Sequence, residues 1–171
     1  KEYIGLDDTK LAKERFVFCE DRVMIDEELE LFSGVKGEKL LPLGNSNLLL
    51  KVGEAYLQDD FSHEQNLIIS ENGKTLLIVG CAHKGIVNII EHFRSERGCL
   101  PDWIIGGFHL NYHGNNESDD ANLVNEIGDF LLNTNTQCYT CHCTGTEAYS
   151  RLKTIMGEKI EYLSTGNQLT I

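Results

Sequence analysis

Apolar positions in the second half of the chain alternate between two periods. Runs at Thr75-Leu76-Leu77-Ile78-Val79, Trp103-Ile104-Ile105 and Cys138-Tyr139-Thr140 read as buried strands near 75–79, 102–105 and 137–141. After each run the spacing becomes helical: Ile86, Ile89, Ile90 and Phe93; then Leu123, Val124, Ile127, Phe130 and Leu131; then Ala148, Tyr149, Leu152, Ile155 and Met156. Thr144 with Glu147 fits a capping box, and Gly157 fits a helix stop. Upstream, Asn66-Leu67-Ile68-Ile69-Ser70 and Thr75-Leu76-Leu77-Ile78-Val79 flank Asn72-Gly73, a pair suited to a type I′ turn, so a β-hairpin is expected. The first sixty residues carry short apolar runs (Phe16-Val17-Phe18, Val23-Met24-Ile25, Leu48-Leu49-Leu50-Lys51-Val52) punctuated by Gly34, Gly37, Gly44 and Gly53, which reads as strands and loops. Glu161-Tyr162-Leu163 and Gln168-Leu169-Thr170-Ile171 are expected to close the chain with a hairpin. The expected class is α/β, or α+β with a mixed sheet.

With 171 residues, no internal repeat and no low-complexity linker, the chain is expected to form one domain or part of one. Its 41% apolar and 25% charged residues are ordinary for a globular protein, and no apolar run approaches the ~18 residues of a membrane helix. The opening Lys1-Glu2-Tyr3-Ile4 lacks a signal-peptide layout and an initiator Met, which fits a chain that starts mid-protein. A net charge of −12 argues against nucleic acid or anionic lipid as a partner, though not against a small anion, because a bound metal reverses local charge. Six Cys are present, and Cys138, Cys141 and Cys143 crowd together too closely for a regular disulfide scaffold. A reducing cytoplasm is the expected setting.

The chemistry lies at the strand ends. Leu77-Ile78-Val79 leads into Gly80-Cys81-Ala82-His83-Lys84-Gly85, Trp103-Ile104-Ile105 into Gly106-Gly107-Phe108-His109, and Cys138-Tyr139-Thr140 into Cys141-His142-Cys143-Thr144-Gly145. Each unit is a strand, then small residues and a His, then a helix. Loops at carboxyl strand ends form the ligand crevice of α/β sheets, and imidazole is both the commonest metal ligand and an acid or base near neutral pH. His83, His109 and His142 are therefore expected to point into one crevice. His92 falls inside a helical pattern and reads as a boundary residue; His113 reads as part of a polar loop.

Gly80 to Asn88, Gly106 to Leu110 and His142 to Gly145 resemble, in order, three stretches of the metallo-β-lactamase-fold hydrolases. The resemblance is greatest to the branch labelled dihydropterin ribofuranosylaminobenzene-phosphate synthase. It is specific over residues 60–171 and vaguer over 1–60. It implies an αββα sandwich with one or two divalent metals at the sheet edges, built from two similar halves. The His-x-His-x-Asp-His motif of the first half is absent here, so residues 1–171 correspond to a single partial domain, the C-terminal half: 1–60 a strand- and loop-rich lead-in, 61–171 the β/α half. The resemblance assigns His63, Cys81 and His142 to metal positions, with Cys81 standing where the family has Asp; His83, two residues beyond Cys81, could turn into the site as well. It leaves His109 as a group that either supports the metal ligands or acts as acid or base. Thiolate and imidazole favour zinc over magnesium or calcium. The implied activity is metal-dependent hydrolysis of a small, phosphorylated or pterin-like molecule, inactive in this fragment alone, with the missing N-terminal half or a second copy of the chain as partner. The rival expectation is a non-catalytic binding module that keeps the fold without a complete metal site. A structural zinc knuckle on Cys138 and Cys141 is disfavoured because no second Cys pair completes it, and strand alternation would turn Cys141 and Cys143 away from His142.

Overall fold

The computed structural model describes residues 12–19, 21–112 and 117–171. His113 lies outside them. The described residues form a seven-stranded mixed sheet in the order β1-β2-β5-β6-β7-β10-β11. Strands β1 (Arg22–Met24), β2 (Leu29–Phe32), β5 (Asn66–Glu71) and β6 (Lys74–Ile78) pair antiparallel. From β6 onward, β7 (Trp103–Gly106), β10 (Gln137–Thr140) and β11 (Ile160–Tyr162) add in parallel. The small hairpin of β3 (Leu49–Val52) and β4 (Ala55–Gln58) and the short ladder of β8 (Asn111–Tyr112) and β9 (Glu117–Ser118) stand apart from this sheet.

Three helices connect the parallel strands: α1 (Ile86–Arg97), α2 (Ala121–Leu132) and α3 (Thr146–Met156). Successive right-handed crossovers that step one way across a sheet place all their helices on the same face. The burial pattern agrees. Ile68, Leu77, Ile104, Cys138 and Ile160 lie in register across five strands and are sealed beneath Ile89, Ile90, Phe93, Ile127, Leu131 and Leu152. The alternate positions face the other way. Val23, Leu31, Leu67, Ile78, Ile105 and Tyr139 form a continuous row across six strands, with Leu29, Ile69, Leu76 and Trp103 beside it, and every one of them is only half-buried. These residues thus make up two layers, helices on one face of a sheet, with the second sheet face apolar and only half-buried.

Glu30 is the exception in the helix-covered row. It is 2% exposed and held by Arg22 Nε and by Arg97 Nη2 of α1, both at 2.6 Å. Beside it, a cavity of about 260 Å³ opens between β2 and α1, bordered by Phe32, His92 and Phe93, and none of the strand-end histidines lines it. His92 stacks on Phe32, the boundary position read for it.

Several local expectations need correction. Phe16, Val17 and Phe18 lie in no strand and are exposed. Residues 168–171 form no closing hairpin; β11 pairs with β10 instead. Thr144 does not cap α3, whose N-cap is Gly145; its hydroxyl instead accepts from the Phe108 amide at 2.9 Å and contacts the Thr140 hydroxyl. No helix among the described residues is long and apolar enough to cross a membrane.

Candidate metal centre

Because β6, β7 and β10 run parallel, their carboxyl ends lie at one edge of the sheet. Backbone bonds then continue past the strands. Val79 N donates to Ile105 O, Gly107 N to Gly80 O (both 2.9 Å), and Cys141 N to Gly106 O (3.2 Å). Gly106 and Gly107 permit this approach. A Cβ at Gly106 would stand 2.1 Å from Val79 O, and one at Gly107 would stand 2.5 Å from Cys143 Sγ.

After the last paired residue, each loop contains one non-glycine residue in the left-handed region: Ala82 (φ 53°), His109 (φ 50°) and His142 (φ 50°). Non-glycine residues avoid this region at a cost of about 1–2 kcal/mol each. Three such residues in three adjoining loops mark where the chain is bent to aim side chains.

The bends bring the sulfurs and imidazoles together. Cys81 Sγ lies 3.6 Å from His142 Nδ1, and the ligand atoms of Cys81, His142 and Cys143 all fall within 4.8 Å of one another. The Cys81 thiol is pulled down to about 3, first by the Cys143 thiol that bonds to it, then by the imidazoles of His83 and His142. Cys143 is correspondingly pushed up, since it is the partner that keeps its proton. The ring centroids of His83 and His109 are 4.0 Å apart. Both ring nitrogens of His109 are buried without a hydrogen-bond partner, and desolvation, reinforced by the charge of His83, lowers its pKa to about 4. His109 is therefore a neutral imidazole at pH 7, able to accept at one nitrogen and donate from the other.

Each expected residue can now be placed. Cys81, His83, His109 and His142 converge. His63 stands at the margin, its side chain 70% exposed and its Nδ1 3.8 Å from Asp59. Its ring centroid is 6.4 Å from that of Phe61, which stacks on His83 at 4.7 Å. Cys138 lies in the core beneath the helices, where burial pushes its thiol up to about 12, so it forms no knuckle with Cys141.

Three contributors escaped the sequence. Cys143 turns toward Cys81 and His142, not away, because β10 ends at Thr140 and residues 142–144 form a 3-10 turn in which strand alternation no longer applies. Asn45 grips His83 at both ends, its Nδ2 donating to His83 O (2.6 Å) and its Oδ1 lying 3.2 Å from His83 Nδ1. Glu64 accepts from the amides of His83 and Lys84 at 2.7 and 3.0 Å, fixing the loop. Glu64 directly follows His63 in the sequence, and Cys143 was read as turned away; nothing in the local pattern marked Asn45.

The donor set fits zinc. A tetrahedral shell with Zn–S ~2.3 Å and Zn–N ~2.0 Å sets a sulfur and a nitrogen about 3.5 Å apart, close to the Cys81–His142 spacing. Thiolates and imidazole are soft or borderline donors, whereas magnesium and calcium take oxygen.

No protein-family model matches the sequence. An uncharacterised protein of Methanocaldococcus jannaschii, MJ0448, is 27% identical over 154 residues, which cover 88% of this chain and 55% of that protein. The fold is shared with the crystal structure of Tm1679, a metal-dependent hydrolase of the beta-lactamase superfamily, with a TM-score of 0.74, 22% identity, and coverage of 90% of this chain and 57% of that one. The mixed α+β architecture therefore matches the fold of Tm1679, and the chain spans a little over half the length of both matched proteins.

Proposed function

We propose that this chain is part of a zinc-dependent hydrolase acting on a small, phosphorylated or pterin-like molecule. One observation carries the reading: Cys81 and His142, from two different strand ends, stand at the spacing of neighbouring ligands in a metal shell. The shared fold with a metal-dependent hydrolase supports it. Cys81 and His142 would hold the metal, with His83 and His63 as the further candidate imidazoles. A zinc ion held there would supply Lewis acidity toward a carbonyl or phosphoryl oxygen and lower the pKa of a water toward neutrality. His109, buried without a protein partner, is the group placed to take the proton that the attacking water loses and to return one to the leaving group. Asn45 and Glu64 orient His83 and its loop, and act on the chemistry only through that position.

The half-buried apolar sheet face fits a second sheet, supplied by the remainder of a longer polypeptide or by a second copy of the chain. That remainder brings the ligands this chain lacks, so residues 1–171 alone hydrolyse very slowly.

Zinc content after loading and dialysis, together with hydrolysis of generic phosphoesters and lactones, tests the reading. The chain is expected to retain zinc, and a Cys81→Ser/His142→Ala variant to lose it. Hydrolysis is expected to rise strongly when the chain is joined to, or mixed with, the remainder. Equal retention by the variant removes these residues from the site; full activity of residues 1–171 alone overturns the partial-domain reading.

A further inference from the structure

We infer that Cys143 is a metal ligand, and that Cys81, His142 and Cys143 form a self-contained zinc site of two thiolates and one imidazole, its fourth position open to solvent. This rests on the reading of the strand-end cluster as a metal centre, but it changes the ligand set: Cys143 takes the third place in preference to His83 or His63.

Geometry is the first support. Cys81, His142 and Cys143 are the only three described His, Cys, Asp or Glu residues whose ligand atoms lie mutually within 4.8 Å. Two sulfurs of one tetrahedral zinc shell stand ~3.8 Å apart, inside that limit. The second support is the niche around the Cys143 sulfur. A Cβ at Gly107 would stand 2.5 Å from it, with Gly80 O at 3.3 Å and Cys141 O at 3.5 Å, so the glycine leaves the space that the sulfur fills. Third, neither His83 nor His63 belongs to the group of mutually close ligand atoms, and His63 is exposed beside Asp59. Finally, His142 is exposed while both cysteines are half-buried, so a shell built on these three is closed on the sulfur side and open on the imidazole side. Three protein ligands with one open position are the arrangement of catalytic rather than structural zinc.

The ligand set has a chemical consequence. Two thiolates neutralise the dication, which makes it a weaker Lewis acid than an all-imidazole site holds. Ligation requires Cys143 as the thiolate, so zinc binding releases its proton and tightens as pH rises.

X-ray absorption at the zinc edge of the wild-type chain, loaded with one zinc, reads the shell without any variant. Two sulfur neighbours at ~2.3 Å are expected. One sulfur, none, or failure to hold zinc overturns the inference. Cobalt substitution provides the second readout. The sulfur-to-cobalt charge-transfer absorption is expected to fall by about half in Cys143→Ala and to persist in His83→Ala and His63→Ala; an unchanged band in Cys143→Ala overturns the assignment. Its failure is distinguishable from failure of the functional reading. Zinc-dependent hydrolysis with a one-sulfur shell sinks only the ligand assignment. A two-sulfur shell in a protein that hydrolyses nothing, even with its remainder present, sinks only the hydrolase.

Discussion

Gly107→Ala tests the site at the point where packing and ligation meet. The added Cβ would stand 2.5 Å from Cys143 Sγ, whereas carbon and sulfur rest at no less than about 3.5 Å. The separation must open by about 1 Å, close to half of a Zn–S bond. Gly80 O at 3.3 Å limits the retreat of residue 107, and the Gly107 amide is already committed to that oxygen, so the sulfur is the atom that moves. Displacing one ligand on this scale is comparable to deleting a residue that orients a ligand, a loss of about 10- to 100-fold in metal affinity, or roughly 1.4–2.7 kcal/mol. The metal-free protein should lose less, about 1 kcal/mol, because a cysteine side chain can rotate. Competition titration with a chromophoric chelator measures the first quantity and thermal denaturation of the metal-free protein the second. Adding Cys143→Ala makes room for the new methyl group, so Gly107→Ala should cost almost nothing in that background, a non-additivity of about 1.4–2.7 kcal/mol in zinc binding. If Gly107→Ala leaves zinc affinity and melting temperature unchanged, the sulfur is not held where the site needs it.

Two further outcomes follow from charges elsewhere. Glu30→Gln should destabilise the fold by about 3 kcal/mol in urea unfolding, because it leaves Arg97, 27% exposed, facing a neutral partner in the core; Arg22 is half-exposed and contributes little. A loss below about 1 kcal/mol would show that solvent already compensates the pair. The metal-free protein should weaken in acid through His109. Its pKa of about 4 when folded lies below the unfolded value of 6.5, so the unfolded state binds more protons between those limits. The associated stability is complete above pH 6.5 and is lost as pH falls toward 4. The shift corresponds to at most about 3 kcal/mol, and partial solvent exposure reduces it to about 1–2 kcal/mol. Urea midpoints of wild type and His109→Phe at pH 7.5 and 5 check this; equal pH slopes would mean that His109 titrates normally.

The elements that were legible in the sequence are those whose period is imposed by burial. Ile86, Ile89, Ile90 and Phe93 are 0–1% exposed on α1, so the helical spacing is a direct imprint of the core. Asn72 and Gly73 adopt φ of 52° and 75°, as a type I′ turn demands, and the hairpin follows. Where a segment has no buried partner, the same reasoning misfires. Phe16, Val17 and Phe18 have strand-like composition, but Val17 and Phe18 are 84% and 86% exposed, and composition carries no information about whether a neighbouring strand exists. The mixed sheet itself was readable, whereas the apolar second face emerges only from the register that aligns Leu31, Leu67, Ile78, Ile105 and Tyr139.

The site was legible as far as the strand ends and no further. Parity predicts where side chains point only while the backbone stays extended, and each of the three loops departs from it at one non-glycine left-handed residue, Ala82, His109 or His142. His142 is the instructive case. Continued alternation would put Cys143 on the face opposite His142; the left-handed turn rotates both toward Cys81. Asn45 and Glu64 were hidden for a different reason, since they act on His83 across 38 and 19 residues of sequence. The three bends together cost about 3–6 kcal/mol, which must be offset locally. Backbone bonds from Gly107 to Gly80 and from Cys141 to Gly106, with the Asn45 and Glu64 clamps, do so before any metal arrives. The loops are therefore preorganised: a metal bound by Cys81 and His142 would meet side chains already aimed at one point, and little of its binding energy would be needed to gather them.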